Sequence, residues 1–448
     1  MKKFVILAII ALGIISCTTQ KATKKMEAPS EWKRHTNIYE VNIRQYTKEG
    51  TFRAFEKEMP RLKAMGVETL WFMPITPIAT EKMKGTLGSP YAAADYTSIN
   101  PEFGTMEDFK HLVDEAHQLG FKVIIDWVAN HTGWNHVWTK TNPEFYLHDP
   151  DGNFHIASGM EDIIELDYSN QNMRNAMIEA MKFWVRETNI DGFRCDLASW
   201  VEVDFWQEAR PKVEALKPLF WLGEFDELEN PEYGKVFDAS YSWTWMHKTE
   251  NYYKNNLPLQ ELKDLLMKYS AIGDHSMRAW FTTNHDENSW NGTEYEKYGV
   301  IAKPLAVFSA TWNGVPLIYS GQELPNLKRL EFFEKDAINW TGNYQLADFY
   351  RTLFSLKSSN PALRGGDPNV TTYFLNNSAN DKILAFLRKN GNDEVLVVLN
   401  MSKDAVDFSI EDGNVGGTFK NLFDKTSRDF SSGKSFSMKA GDYAVFVK

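Results

Sequence analysis

The stretch Ile190-Asp191-Gly192-Phe193-Arg194-Cys195-Asp196-Leu197 combines an apolar framework with three charged side chains. Apolar residues on both sides of Gly192 predict a short buried strand. A buried charge is costly unless it is paired, and side chains two residues apart lie on the same face of a strand. We therefore expect Arg194 beside Asp196, where it keeps the carboxylate ionised, as a nucleophile requires. A structural ion pair explains these residues, taken alone, equally well.

Similar strands recur along the chain and alternate with amphipathic helices. One helix is predicted at Phe52–Met65, and another follows Thr105-Met106-Glu107-Asp108, which resembles a capping box. Near-continuous apolar strands that alternate with helices indicate a parallel sheet covered by helices. Eight strands are predicted in all, at Asn37–Arg44, Thr69–Met73, Phe121–Val128, Ile190–Leu197, Leu219–Gly223, Val236–Ala239, Arg278–Thr283 and Val315–Tyr319.

This pattern predicts an α/β fold, the (β/α)8 TIM barrel, with functional groups at the C-terminal ends of the strands. A doubly wound open sheet is the alternative, but no G-x-G-x-x-G motif follows the first strand. We place the barrel at residues 33–365. Residues 131–167, after the third strand, carry turn signals and are predicted to form a small insertion over the barrel mouth.

The pattern changes near the C-terminus. Short β segments occur there without any helical period, and Gly, Asn, Asp and Lys separate them. Residues 366–448 are therefore predicted to form a separate antiparallel β-sandwich domain. The segments are Ile383–Arg388, Glu394–Leu399, Ala405–Ile410 and Tyr443–Val447.

The N-terminus is typical of a secretion signal. Lys2 and Lys3 precede an apolar run that is too short to span a membrane, and Ile14-Ile15-Ser16-Cys17 resembles a bacterial lipobox. Residues 1–17 are thus predicted to be a lipoprotein signal peptide with Cys17 as the lipidated residue, and 18–32 a flexible tether. The expected location is extracytoplasmic, on a membrane, facing the periplasm or the cell surface. An ordinary signal peptide cleaved elsewhere is the alternative.

Composition narrows the range of partners. The net charge of −11 argues against a nucleic acid or an anionic membrane surface, so the lipid anchor is the only membrane contact we expect. Cys17 and Cys195 are the two cysteines of the chain, which excludes a cysteine-based metal site. Aromatic residues make up 14% of the chain, and any that line a cleft could stack on sugar rings.

Charged and polar side chains recur at four of the predicted strand ends. Such a set at one end of a barrel is hard to explain as solvated surface. A metal site is one interpretation, because Asp, Glu and His are common ligands. A glycosidase is the other, because retention of configuration requires two carboxylates about 5–5.5 Å apart. The residues are Asp126, Asn130, His131, Arg194, Asp196, Glu224, Asn284, His285 and Asp286.

Four segments that contain these residues resemble, in order, the four sequence regions of the α-amylase superfamily of retaining glycoside hydrolases. They are Asp126-Trp-Val-Ala-Asn-His131, Gly192-Phe-Arg-Cys-Asp-Leu-Ala198, Gly223-Glu224 and Thr283-Asn-His-Asp286. Tyr91–Gly104 and Gly314–Glu323 match as well. The resemblance covers roughly residues 35–448, including the C-terminal β domain.

The resemblance implies a role for each matching residue. Asp196 would be the nucleophile, Glu224 the general acid and base, and Asp286 a third carboxylate that binds sugar hydroxyls. The substrate-binding group would contain His131 and His285, which hydrogen-bond the same sugar, Arg194 beside the nucleophile, and Tyr91 as an aromatic platform.

The chain departs from the family pattern at two points. Ser199-Trp200 stands where the family often has Lys-His, so Trp200 is expected either to stack on the next sugar or to pack under the insertion. Asn130 matches a calcium-ligand asparagine of the family, but the insertion offers no recognisable partner carboxylates. Calcium is therefore a hypothesis, and no organic cofactor is expected.

The resemblance implies hydrolysis of α-glucosidic bonds, most often α-1,4, in starch or maltooligosaccharide-type glucans by double displacement with retention. A transglycosylase or branching enzyme of the same superfamily would have the same residues, because it differs only in the acceptor. A non-catalytic glucan-binding barrel is a further alternative. It is disfavoured because all three carboxylates are present.

Overall fold

A computed structural model describes residues 30–273 and 277–448. Up to residue 320, its strands are Ile38–Val41 (β1), Thr69–Phe72 (β2), Lys122–Val128 (β3), His131–Gly133 (β4), Ile163–Glu165 (β5), Gly192–Asp196 (β6), Phe220–Asp226 (β7), Ala239–Tyr241 (β8), Met277–Trp280 (β9) and Val315–Tyr319 (β10). Eight of these strands form a closed parallel barrel in the order β1-β10-β9-β8-β7-β6-β3-β2. The predicted (β/α)8 barrel is confirmed.

Thirteen α-helices are described. They are Glu31–His35 (α1), Ile43–Tyr46 (α2), Phe52–Glu56 (α3), Met59–Ala64 (α4), Met106–Gln118 (α5), Val137–Thr141 (α6), Gln171–Thr188 (α7), Val203–Glu214 (α8), Trp243–Asn255 (α9), Leu259–Ile272 (α10), Glu294–Tyr298 (α11), Ala302–Thr311 (α12) and Ala347–Ser359 (α13). The Thr105–Asp108 capping box is present and starts α5. Among the helices of the described residues, none combines the length and apolar character needed to cross a membrane.

The predicted insertion contains a small hairpin. Strands β4 and β5 pair antiparallel, with His131 opposite Glu165 and Gly133 opposite Ile163. Because His131 follows β3 closely, the hairpin begins directly at the C-terminal end of a barrel strand. The insertion therefore starts beside the predicted site residues.

The C-terminal strands form antiparallel sheets. They are Thr371–Phe374 (β11), Ile383–Asn390 (β12), Asp393–Asn400 (β13), Val406–Ser409 (β14), Thr418–Asn421 (β15), Ser427–Asp429 (β16), Ser435–Met438 (β17) and Tyr443–Val447 (β18). One sheet has the order β11-β12-β13-β18-β15-β16, and β14 pairs with β17 in a second sheet. Phe408 and Phe436 of the small sheet share an apolar core with Phe446 of the large one. The predicted antiparallel domain is confirmed.

Several predicted elements differ from the observed ones in their bounds, and three of them are described here. The first strand ends at Val41, because the Asn42 side chain accepts a hydrogen bond from Gln45 N and starts α2. The helix predicted at Phe52–Met65 is divided into α3 and α4, and Pro60 lies in the first turn of α4, where a missing N–H is tolerated. The sixth strand was predicted at Val236–Ala239 but begins at Ala239.

Helix α1 packs at the N-terminal end of the barrel. Lys33 Nζ donates to Leu219 O at 2.7 Å and to Asp238 Oδ2 at 2.9 Å, just before strands β7 and β8 begin. The predicted signal peptide with Cys17 lies outside the described residues, as does most of the predicted tether. The structure places Glu31 and Trp32, the last two tether residues, in α1.

Candidate active site

Arg194 is the centre of a cluster of charged side chains at the mouth of the barrel. The guanidinium is fully buried, and its Nη1 atom lies 3.0 Å from Asp126 Oδ1 and 2.8 Å from Asp196 Oδ1. Nη2 lies 2.9 Å from Glu224 Oε2, and Nε donates to the Tyr241 hydroxyl at 3.1 Å. One cation thus compensates three carboxylates.

Three adjacent strands bring these groups together. Strand β3 pairs with β6 so that Asp126 lies opposite Arg194, and β6 pairs with β7, where Arg194 lies opposite Leu222. Parallel strands end at the same rim, so the side chains at their C-terminal ends converge. Sequence reasoning predicted this convergence, and the structure shows it.

A strained turn after β6 orients one of the carboxylates. Leu197 has a φ of 41°, in the left-handed region, and its N–H donates to Glu224 Oε2 at 2.8 Å. A bulky residue adopts this conformation at a cost of about 1–2 kcal/mol and only where its surroundings enforce it. This backbone conformation directs the Leu197 N–H toward the Glu224 carboxylate, which is thereby held in one orientation.

Burial raises the pKa values of both carboxyl groups beside Arg194. It raises the pKa of Asp196 to about 6 and that of Glu224 to about 7, although the positive charge of Arg194 opposes both shifts. Of the two groups, Glu224 therefore holds a proton to higher pH than Asp196 does. One group can act as a nucleophile and the other can donate a proton.

His285 lies between three acidic or hydroxyl groups. Its Nδ1 atom is 2.5 Å from Glu40 Oε1, and its Nε2 atom is 2.8 Å from the Tyr91 hydroxyl and 3.3 Å from Asp286 Oδ2. Burial alone lowers the pKa of His285, but the carboxylates of Asp286 and Glu40 outweigh it and raise the pKa to about 9. The imidazole is therefore a cation that donates from both ring nitrogens.

Replacing Glu40 with glutamine is expected to lower the pKa of His285 from its value of about 9, because a neutral amide removes one of the two charges that stabilise the imidazolium. The measurement is an NMR titration of the histidine ring signals. His35, which pairs with Glu68 near the base of the barrel, is the internal control and should titrate unchanged. An unchanged His285 titration would show that Glu40 does not stabilise its charge.

His131 and Asn130 lie next to each other at the end of β3. Asn130 Nδ2 is 3.3 Å from His131 Nδ1, while His131 Nε2 is buried and lacks a hydrogen-bond partner among the described residues. Burial lowers the pKa of His131 to about 4, so the ring is neutral. Because a buried polar atom normally has a partner, this nitrogen is available to a ligand.

The described residues place no cluster of carboxylates around Asn130 for a calcium ion. No group of three or more His, Cys, Asp or Glu side chains within residues 30–273 and 277–448 could hold a metal. Asp162, whose charge acts on His131, is instead paired with Lys84 Nζ at 2.8 Å. A hard cation such as calcium requires six to eight oxygen ligands, and this carboxylate already has a cation.

EDTA is therefore expected to leave the melting temperature unchanged to within about 2 °C and to leave activity intact, because no bound ion would be removed from the folded state. Differential scanning calorimetry and an activity assay, with and without the chelator, test this. A loss of stability that added calcium reverses would restore the calcium hypothesis.

Tyr91 adjoins the cluster, whereas Trp200 lies at its edge. The Tyr91 hydroxyl donates to Asp126 Oδ2 at 3.1 Å, and its ring is nearly parallel to that of His285, with centroids 5.2 Å apart. Trp200 is 45% exposed at the end of the turn Ala198–Trp200. The position of Trp200 allows it to contact a ligand and does not support packing under the insertion.

Sequence reasoning missed three partners of the cluster. Glu40 on β1 contacts His285, Trp71 Nε1 on β2 donates to Asp126 Oδ2 at 3.1 Å, and Tyr241 on β8 contacts Arg194. Glu40 could have been recognised as a lone carboxylate inside an otherwise apolar strand. Nothing in the local sequence distinguishes Trp71 or Tyr241 from core aromatics.

A TIM barrel with two buried carboxyl groups beside an arginine at its mouth has the groups that a retaining glycoside hydrolase needs, one as nucleophile and one as acid and base. Residues 31–145 and 142–362 match the family model "Alpha amylase, catalytic domain", and 373–447 match "Maltogenic Amylase, C-terminal domain". The chain belongs to the α-amylase family of glycoside hydrolases.

Individual relatives agree with this family. A maltogenic α-amylase of Bacillus acidopullulyticus is 26% identical over 424 residues, which cover 86% of this chain and 68% of the relative. The crystal structure of a maltogenic α-amylase from Thermotoga neapolitana is 29% identical, with a TM-score of 0.84, and covers 93% of this chain and 99% of its own. An α-amylase structure from Lactobacillus plantarum is 28% identical with a TM-score of 0.82 and the same coverages.

Proposed function

We propose that this enzyme hydrolyses α-1,4-glucosidic bonds in starch-type glucans and maltooligosaccharides with retention of configuration. The observation that carries the mechanism is the Asp196–Glu224 pair beside Arg194, in which Glu224 holds a proton to higher pH than Asp196 does. The substrate class is supported by the similarity to maltogenic α-amylases.

In the first step, Asp196 attacks the anomeric carbon while Glu224 gives its proton to the glycosidic oxygen. The bond between that carbon and the leaving oxygen breaks, and a β-glycosyl ester forms on Asp196. Asp286, which is 35% exposed beside His285, would bind the hydroxyls of the reacting sugar. Hydrogen bonds of this kind strengthen as positive charge develops on the ring.

In the second step, the Glu224 carboxylate takes a proton from water, and the resulting hydroxide attacks the anomeric carbon. The ester bond to Asp196 breaks, and the α-configuration is restored by the second inversion. The unpartnered Nε2 of His131 offers a further contact to the same sugar, and the Tyr91 ring a surface beneath it.

The rate should depend on pH through these two carboxyls. We expect kcat/KM to peak between about pH 6 and 7, falling at lower pH as Asp196 is protonated and at higher pH as Glu224 loses its proton. The measurement is a pH profile on a maltooligosaccharide. An α-glycosyl fluoride, whose leaving group needs no proton, serves as the control and should lose the alkaline decline. An alkaline decline of equal size with the fluoride would contradict the role of Glu224.

Product analysis tests the proposed function. The soluble protein without residues 1–17, and its Glu224→Gln variant, are incubated with maltoheptaose, amylopectin, pullulan and sucrose, and products are followed by chromatography and anomer-resolved NMR. Shorter α-anomeric products that are absent with the variant support a retaining α-glucanase. Products longer than the substrate would identify a transferase. Binding without turnover in both proteins would leave a glucan-binding barrel.

We also propose that the protein is an extracytoplasmic lipoprotein anchored through Cys17. The support is the charged start, the short apolar run and the lipobox-like Ile14-Ile15-Ser16-Cys17. A single lipidated cysteine with several acyl chains is sufficient for stable membrane association. Radiolabelled palmitate should enter the wild type but not a Cys17→Ser variant, and labelling of both or of neither would contradict the anchor.

A further inference from the structure

The segment that carries His285 and Asp286 lies beyond the support of the barrel sheet. Strand β9 ends at Trp280, which is also its last residue to pair with β10. Residues 281–284 form neither helix nor strand, and the short helical turn Glu287–Asn291 begins directly after Asp286. The positions of His285 and Asp286 therefore depend on contacts other than the backbone hydrogen bonds of the sheet.

Helix α11 contacts both ends of the segment 282–287 through buried side chains. Glu294 Oε2 accepts a hydrogen bond from the Thr282 hydroxyl at 2.7 Å. At the other end, Lys297 Nζ donates to Glu287 Oε2. Glu294 and Lys297 are three residues apart, so they lie on the same side of the helix. Both are buried, and Lys297 is fully so. One short helix thus holds the segment at both of its ends.

Glu287, the neighbour of Asp286 in the chain, is held at three of its atoms. Its N–H donates to Asn284 Oδ1 at 2.8 Å, its Oε1 accepts from Asn291 Nδ2 at 2.9 Å, and its Oε2 accepts from Lys297. Asp286 lies between the anchored residues Asn284 and Glu287, so a shift of the Glu287 side chain would move the Asp286 backbone. The orientation of Asp286 is therefore coupled to Lys297.

Stability alone gives little reason for a buried ammonium at this position. Lys297 Nζ also lies 3.5 Å from Glu250 Oε2 and 3.5 Å from Met246 Sδ, both on α9. A buried ion pair is often no more stabilising than apolar residues of the same volume. A charged hydrogen bond differs from apolar packing because it fixes the direction in which the carboxylate lies. The Lys297–Glu287 pair thus supplies an orientation that packing alone does not.

We infer that Lys297 is a positioning residue, which holds Glu287 and thereby keeps Asp286 in the orientation that binds the hydroxyls of the reacting sugar. This inference rests on the proposed function, which assigns that role to Asp286. Lys297 itself is fully buried and would not touch the sugar. Small displacements of a group that binds the transition state reduce the rate strongly, so the loss of Lys297 should lower kcat more than it raises KM.

The test uses a variant that removes the contact without leaving a buried charge. Lys297→Met alone would leave the Glu287 carboxylate without its nearest cation, which destabilises the protein whatever the role of Lys297. Lys297→Met combined with Glu287→Gln removes both charges, and this neutral pair should unfold at a temperature close to that of the wild type. On α-glucosyl fluoride, the neutral pair is expected to lower kcat about twentyfold and to change KM less than about threefold.

A double-mutant cycle with Asp286→Asn separates positioning from a general effect on the fold. Because Lys297 acts through Asp286, the neutral pair should lower kcat/KM about twentyfold when Asp286 is present and less than about threefold in the Asp286→Asn background. Lys254→Met is the matched control and should leave kcat unchanged. Lys254 also pairs with Glu250, at 2.6 Å, but is itself exposed on the surface of α9.

The outcomes separate this inference from the proposed function. Equal losses in both backgrounds, or no loss when Asp286 is present, would overturn the positioning role while leaving the enzyme a hydrolase. Release of no fluoride by the wild type would count against the proposed function instead. The cycle is therefore also measured as calorimetric binding of maltotetraose, which does not require turnover. Binding that the neutral pair weakens about fivefold only when Asp286 is present supports the positioning role, and equal changes in both backgrounds overturn it.

Discussion

Asp196→Asn is expected to lower kcat by about 10⁴–10⁶-fold with little change in the binding of substrate, because the amide has the shape of the carboxylate but cannot form the glycosyl ester. Asp196 is the carboxylate that Arg194 holds at 2.8 Å at the end of β6, so the variant should keep its fold. The measurements are steady-state hydrolysis of maltoheptaose and calorimetric binding of the same sugar.

A smaller substitution gives this prediction a second readout. Asp196→Gly leaves space for azide, which can attack α-glucosyl fluoride from the side that Asp196 faced, so that a C–N bond forms as the C–F bond breaks. The expected product is the β-glucosyl azide, with inverted configuration. Asp196→Asn is the matched control, because its amide occupies the space. A kcat loss below about tenfold, or azide of α-configuration, would exclude Asp196 as the nucleophile.

Arg194→Met is expected to destabilise the protein by about 3–5 kcal/mol at neutral pH, because it leaves buried carboxylates without their cation. The affected groups are Asp126, Asp196 and Glu224, and activity should fall with stability as the nucleophile becomes protonated. The measurement is the free energy of unfolding from chemical denaturation, together with kcat.

The destabilisation should depend on pH with a defined sign. The pKa values of Asp196 and Glu224 already lie above those of an unfolded chain, at about 6 and about 7, and would rise further without Arg194. The folded state then binds more protons than the unfolded one, so the free energy of unfolding falls as pH rises from about 4 through these pKa values. The deficit should be larger at pH 8 than at pH 5.

Arg194→Lys is the matched control, since it keeps the charge but loses the fork that reaches several carboxylates at once. We expect it to recover a large part of the stability and less of the activity. Equal deficits for Arg194→Met at pH 5 and pH 8 would show that charge compensation is not what Arg194 contributes. Equal stability of the methionine variant and the wild type would lead to the same conclusion.

Sequence patterns predicted the barrel because its strands are buried on both faces and therefore appear as apolar runs. The same patterns were less reliable in placing the ends of strands where a buried polar residue interrupts the apolar run. Val236–Phe237 looked like the start of a strand, yet Tyr233–Lys235 forms a short helical turn and β8 begins only at Ala239. Asp238 is buried there because it accepts from Trp221 N and binds Lys33, contacts between distant parts of the chain that no local pattern shows.

The sequence likewise predicted some residues of the candidate site and missed others. Asp196, Glu224 and Asp286 lie at strand ends within motifs, whereas Glu40 and Phe332 reach His285 from β1 and from a loop more than 280 residues apart in the chain. Only the closure of β1 against β10 makes such contacts adjacent. The loop that carries Phe332 takes a conformation that side-chain hydrogen bonds help to fix, such as the one from Leu330 N to Asn288 Oδ1, and hydrophobic periodicity does not encode these bonds.

The position of α1 has a consequence for the proposed lipid anchor. Lys33 binds this helix to the N-terminal ends of the barrel strands, whereas Arg194 lies at their C-terminal ends. The described chain therefore enters the barrel on the side away from the cleft. If Cys17 carries the proposed lipid, the connection to the membrane would therefore reach the barrel on the side away from Arg194. The cleft would open outward into the surrounding medium, where a long glucan could approach without steric hindrance from the membrane.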